Sequence, residues 1–134
     1  MKAVITDYQY ESIETERSII EGAGFTLKDY QAKETKDLIP IVEDAQAVIT
    51  QYSDINAEVI SHMKQARMII KYGIGVNNID CEAAAKKGIY VCNVPDYGVE
   101  EVSDHAVAMI LALGRKLPIL TEAFRNGDWG YASV

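Results

Sequence analysis

Five short apolar runs, each followed by a segment with helical spacing, constrain this chain more than any other feature. Residues 2–7, 25–30, 45–51, 68–72 and 90–94 are rich in β-branched and aromatic side chains and short enough to be strands. Between them, Ile13, Ile19 and Ile20 trace a stripe that ends at Gly22 and Gly24, and Leu38, Ile39 and Val42 share one face of 35–44, where Pro40 shortens or kinks the helix. Residues 57–64 form the next helix. Residues 80–87 carry Asp80 at the start, Glu82 in the first turn, Lys86 and Lys87 in the last, and Gly88 where a left-handed cap is wanted.

Such alternation predicts a parallel sheet with right-handed crossovers. The expected fold class is α/β, a doubly wound five-stranded sheet of flavodoxin-like order 2-1-3-4-5. The fourth run is almost continuously apolar, which predicts a strand covered on both faces. Beyond the fifth run lies a long helix over 99–116, apolar nearly all round: Val99, Val102, Ala106, Met109, Ile110, Leu113 and Leu117 on one side, Val107, Leu111 and Ala112 on the others. That pattern predicts either a central core helix or one that reaches into another domain or subunit. A last helical stretch covers 118–126, and Asn126, Gly127 and Asp128 have the composition of a boundary.

Composition narrows the function. With 49% hydrophobic and 25% charged residues the 134-residue chain has the make-up of an ordinary globular domain. A net charge of −7 argues against nucleic acid and anionic membranes as partners. No run approaches the ~20 apolar residues of a membrane span, and the cytoplasm is the expected location. Cys81 and Cys92 sit among apolar neighbours without metal spacing and read as core thiols.

In sheets of this kind ligands gather at the carboxyl ends of the strands. Those ends bring forward Asp7 and Tyr8, then Gln51, Tyr52 and Ser53, then Tyr72 and Gly73, then Asn93, Pro95 and Tyr97. Gly73-Ile74-Gly75, between a strand and a helix, resembles the start of a dinucleotide fingerprint, but Asn78 stands in place of the third glycine. Two readings remain for this turn: amides of Gly73 and Ile74 facing a small carboxylate, or glycines that merely permit a tight turn. His62 reads as solvent-facing. His105 follows Asp104 on the long helix, where adjacent residues do not face each other, so it reads as a packing histidine. No nucleophile with a base, no metal spacing and no phosphate loop is present, so no catalytic or metal-binding residue is assigned.

The stretch KYGIGVNNIDCEAAAKKGIYVCNVPDYGVEEVSDHAVAMILALGRKLP resembles the D-isomer-specific 2-hydroxyacid dehydrogenases, and NVPDY with EEVSDH is closest to their C-terminal-binding-protein-like branch. The resemblance implies a flavodoxin-like substrate domain over 1–98 and an inter-domain crossing helix with its connector over 99–134, ending before an NAD-binding Rossmann domain. It implies that Tyr72, Gly73 and Ile74 form the substrate-carboxylate loop, that Tyr52 lines the cleft, and that Val102 lies close to the nicotinamide. Asn77 stands where many members carry Asp, and His105 matches the family's helix histidine, which is not its catalytic one.

The expected function is therefore the substrate-domain portion of an NAD-dependent oxidoreductase acting on D-2-hydroxy acids. The chain by itself is expected to be inactive, to bind small 2-oxo or 2-hydroxy carboxylates weakly, and to hold no NAD(H) tightly, although NAD(H) serves the full-length family. The bare crossing helix implies a homodimer, with helix 99–116 folded back or exchanged. The competing reading is a non-catalytic flavodoxin-like module used for folding or self-association. A receiver or flavin domain is disfavoured, because Asp7 lacks an acidic partner and DYQYES is no phosphate loop.

Overall fold

The computed structural model describes residues 1–130. Backbone contacts divide the chain into two compact units, Met1–Pro95 and the residues from Asp96 onward.

The first unit runs β1 (Lys2–Ile5), α1 (Glu14–Gly22), β2 (Thr26–Asp29), α2 (Thr35–Val42), β3 (Ala47–Thr50), α3 (Ala57–His62), β4 (Met68–Lys71), α4 (Cys81–Lys86) and β5 (Tyr90–Cys92). All neighbouring strands are parallel, in the order 2-1-3-4-5 expected from the alternation of runs. Side-chain alternation along each strand sorts the core onto two faces. Val4, Val48 and Ile69 meet Leu38, Ile41 and Val42 of α2, Val59 and Ile60 of α3, and Ala84 of α4. On the other face Ala3, Ile5, Leu27 and Ile49 meet Ile13 and, in α1, Ile20.

Local signals set the helix ends. The Asn56 side chain accepts from the Val59 amide at 3.1 Å and Asp80 from the Ala83 amide at 2.9 Å, so α3 and α4 both start on a side-chain cap. Gly88 takes φ +71° just past α4. The adjacent Lys87 ammonium donates to the carbonyls of Ile60, Ser61 and Met63, each at 2.8 Å, which satisfies the open end of α3. Pro40 lies inside α2, which stays helical but is only eight residues long.

Two expectations are corrected here. β4 is covered fully on one face and partly on the other: Ile69 is fully buried, whereas Met68 is 38% exposed and Ile70 is half-buried against the cluster of Ile5 and Ile49. Cys81 and Cys92 are not core thiols, since both are exposed. Cys92 shares its face of the edge strand β5 with Tyr90, which is 75% exposed, and Cys81 is the first residue of α4, whose buried residue is Ala84. Apolar neighbours in sequence do not reveal whether an edge strand's second face is covered.

The second unit consists of α5 (Val99–Gly114) and α6 (Leu117–Arg125), joined through Lys116 in the left-handed region at φ 54°. The Phe124 and Trp129 rings meet edge to face at 4.7 Å after α6. No residue of α5 is buried, and Val102, Ile110, Leu111 and Leu113 are all exposed. His105 is exposed too, so it is not the packing histidine that was expected.

Candidate anion-binding site

The strand order reverses between β1 and β3, with β2 on one side of β1 and β3 on the other. In open α/β sheets the crevice beyond the carboxyl ends at such a switch point is where ligands bind. Here the chain fills that crevice itself.

Asp7, just past β1 and 1% exposed, carries a carboxylate surrounded by donors. Its Oδ2 accepts from the Tyr52 amide at 2.7 Å, and Oδ1 lies 3.0 Å from the Gln51 amide and 3.1 Å from the Ser53 amide. The Ser53 hydroxyl at 2.7 Å and the Thr6 and Thr50 hydroxyls at 3.1 Å complete the shell. Three successive amides curled round an anion form a backbone nest. Burial alone would raise this carboxyl, but the Ser53 hydroxyl and the amides of Ser53, Gln51 and Tyr52 outweigh it, and the group is held below the ordinary aspartate value.

One strand over, Lys71 ends β4 with only 8% of its surface exposed. Its ammonium donates to the Gln51 carbonyl and lies 5.3 Å from the centroid of the Tyr52 ring. Among the described residues no carboxylate lies within 4 Å of it. Burial lowers the lysine's affinity for its proton, and the charge of Asp7 partly restores it. An ammonium has three donors, and this one, roofed by an aromatic ring, donates to the Gln51 carbonyl and has donors left for a further acceptor.

The turn that follows leans on the same loop. The Gly73 amide donates back to the Lys71 carbonyl at 3.0 Å, and the Gly73 carbonyl accepts from the Val94 amide at 3.0 Å. Asn93 Nδ2 donates to the Ile74 carbonyl at 2.8 Å. Asn78 Nδ2 donates to the Ser53 carbonyl at 2.7 Å, and the Ile55 amide donates to the Asn78 carbonyl at 2.8 Å. The amides of Ile74 and Gly75 donate to nothing among the described residues, and both residues are exposed.

Of the residues singled out in the sequence, Tyr52, Gly73 and Ile74 thus gather round Lys71 at the ends of β3 and β4. Gly73 contributes conformation, not donation: its φ is +141° and its amide is committed to Lys71, while a Cβ there would sit 3.7 Å from the Lys71 Cε. Tyr72 points to the opposite face, stacked edge-on against Tyr10 at 5.3 Å, with its hydroxyl buried and, among the described residues, without a hydrogen-bond partner. Burial, then the charge of Glu16, push that phenol well above its ordinary value. Val102 belongs to α5 and is 69% exposed. Lys71 was overlooked, although a lysine closing the run MIIK was a visible signal.

The residues of this turn do not fit a dinucleotide's pyrophosphate. The Asn78 side chain crosses the loop at the third-glycine position, and the first glycine's amide is already bonded. His62 supplies no acid or base here. His62 sits at the end of α3 that leads away from this rim, with Nδ1 beside the Glu58 carbonyl at 2.9 Å and the Ser61 hydroxyl at 3.1 Å.

Comparison with known proteins gives one family. Residues 3–130 match the D-isomer specific 2-hydroxyacid dehydrogenase, catalytic domain. The chain is 37% identical over 93 residues to a glyoxylate reductase from Pyrococcus furiosus, covering 69% of this chain and 28% of that enzyme. Among solved structures it is similar to the NAD+-bound 3-phosphoglycerate dehydrogenase of Entamoeba histolytica, with TM-score 0.71 and 28% identity over 84% of this chain and 38% of that one. It shares the fold of the D-lactate dehydrogenase from Aquifex aeolicus complexed with NAD and lactic acid, with TM-score 0.81 and 24% identity, covering 96% of this chain and 38% of that one. The chain therefore spans less than a third of the curated glyoxylate reductase's length and under two fifths of these two structures.

Proposed function

Given that this chain belongs to the D-isomer specific 2-hydroxyacid dehydrogenase family, by the catalytic domain, we propose that it binds the carboxylate of a small 2-oxo or 2-hydroxy acid. The carboxylate would meet the Lys71 ammonium and the amides of Ile74 and Gly75, beneath the ring of Tyr52. Gly73 gives the turn its shape, and Tyr72 anchors the turn on the opposite face. The single observation that carries this reading is a lysine 8% exposed, without a carboxylate partner among the described residues, one turn away from two open amides. Calorimetric titration with glyoxylate and oxalate tests it. Both should bind, while neutral oxamide and the Lys71→Met variant should give no heat of binding; equal binding of oxamide would contradict the reading.

The 134 residues by themselves are proposed not to transfer hydride. Supporting this, His62 stands away from the rim and the 73–80 turn does not fit a dinucleotide. For a whole protein of this family the proposed hydride carrier is NAD(H), which two of the neighbouring structures are named as holding. Val102 is proposed to approach its nicotinamide, on the resemblance alone. The motifs NVPDY and EEVSDH support the C-terminal-binding-protein-like branch. NADH absorbance in the presence of the chain and glyoxylate, pyruvate or hydroxypyruvate should stay at the buffer rate, and faster loss would overturn the proposal.

Self-association is a second reading, favoured by one observation: α5 buries no residue and exposes Val99, Val102, Val107, Met109, Ile110, Leu111 and Leu113. Apolar surface of this kind favours a protein partner, here proposed to be a second copy with helix 99–116 exchanged or folded back. Light scattering should give twice the chain mass, and a monomer at high concentration would contradict it.

A further inference from the structure

The switch-point crevice is the place where an anionic ligand would be sought, and a side chain of the protein occupies it. We propose that Asp7 is a positioning residue for the anion site: by filling the amide nest of residues 51–53 it turns the Gln51 carbonyl and the Tyr52 ring onto Lys71, and leaves that ammonium without a carboxylate partner among the described residues. This rests on the anion-binding reading above and deepens it. It also assigns the ligand's route, since a nest already filled by a carboxylate directs an incoming acid one strand along, to Lys71 and the turn after β4.

The geometry carries three parts of this. Asp7 bonds the amides on both sides of the Gln51 carbonyl, at Gln51 and Tyr52, so that peptide cannot rotate without breaking a bond to a buried anion. The carbonyl so fixed is the one that accepts from the Lys71 ammonium, and the residue whose amide makes the 2.7 Å bond is the one whose ring lies over it. Finally, no contact within 4 Å joins the two charges, so Asp7 favours the charged lysine through space without occupying its donors. A buried ion pair would quench the site; a buried charge held one peptide away polarises it.

The groups facing Lys71 are Asp7 from the end of β1, and the Gln51 carbonyl and Tyr52 ring from the loop after β3. The readout must be residue-resolved, because other lysines titrate in the same alkaline range. Isotope-labelled lysine reports Lys71 directly through its Cε shift, in the absence of any ligand. In Asp7→Asn the Lys71 midpoint should fall by about one pH unit, and oxalate affinity at neutral pH should drop roughly tenfold. Ser53→Ala removes a hydroxyl donor and leaves the charge, so its Lys71 midpoint should match the wild type whatever its effect on stability.

Because Asp7→Asn turns a buried amide towards backbone donors, that variant could fail to fold. Lys71→Met keeps the proposal testable, since coupling is reciprocal: the Asp7 carboxyl midpoint, followed by its ¹³C shift, should rise by the same amount the Lys71 midpoint falls. Unchanged Asp7 in Lys71→Met, or unchanged Lys71 in a folded Asp7→Asn, would overturn the positioning role. Failure of the anion-binding reading is a separate result, in which the two side chains are coupled but oxalate does not bind.

Discussion

The carboxylate of Asp7 accepts the amide of Tyr52 at 2.7 Å, a bond across 45 residues of sequence that ties the end of β1 to the loop after β3. Hydrogen bonds to a charged acceptor are among the stronger ones, and losing the acceptor leaves several buried donors without a partner. Asp7→Ala should therefore destabilise the first unit by about 3 kcal/mol, measured by urea unfolding, with a greater loss than Ser53→Ala.

The same contact sets an acid limit. Asp7 is held below its ordinary aspartate value in the folded chain, so the unfolded chain binds the proton more readily. The stability it contributes is complete above the unfolded value, near pH 4, and is lost as pH falls towards the depressed folded value. Urea midpoints measured from pH 6 down to pH 2 should show this loss in the wild type and a shallower one in Asp7→Asn.

Lys71 shares that slope with pH, but its charged form costs stability where that of Asp7 adds it. Its proton affinity is lowered by burial in the fold, so in alkali the unfolded lysine stays protonated longer and stability should rise with pH below about 10.4. Lys71→Met removes that rise and should leave stability at pH 7 within about 1 kcal/mol, because a flexible apolar side chain replaces a desolvated charge of similar length. Unfolding curves at pH 7 and pH 9.5 compare the two proteins.

Gly73 sits at φ +141°, where a side chain strains the backbone although the space beside it is ample. Gly73→Ala should cost about 1–3 kcal/mol through that strain, read from thermal unfolding, and should weaken oxalate binding by shifting the Lys71 to Ile74 turn.

How far these features could be read in advance follows from how local they are. Runs such as AVIT and MII, the caps at Asn56 and Asp80 and the glycine after α4 act within a few residues, so strand order and helix limits were legible. The site was legible only in part. Tyr52, Gly73 and Ile74 stand at strand ends, where the topology collects ligands, but Lys71 looked like a strand terminator, because its burial depends on a loop 20 residues earlier folding over it. Asp7 was visible as a strand-end acid, and its nest was not, since every amide bond it accepts spans more than 40 residues. The cysteines misled for a related reason: an apolar run shows that a strand is apolar, not which of its faces is covered.

Both thiols should accordingly react in the folded chain. Cys81 and Cys92 are exposed, and Ellman's reagent should titrate two equivalents without denaturant; a requirement for denaturant would restore the buried assignment.

The most direct measurement is of where a carboxylate lands. Titrating ¹⁵N-labelled chain with oxalate should move the amides of Ile74 and Gly75 and the Cε of Lys71 together, with one dissociation constant, while the amides of Gln51, Tyr52 and Ser53 keep their bonds to Asp7 and move least. Shifts centred on residues 51–53, or none at Ile74, Gly75 and Lys71 at saturating oxalate, would contradict it.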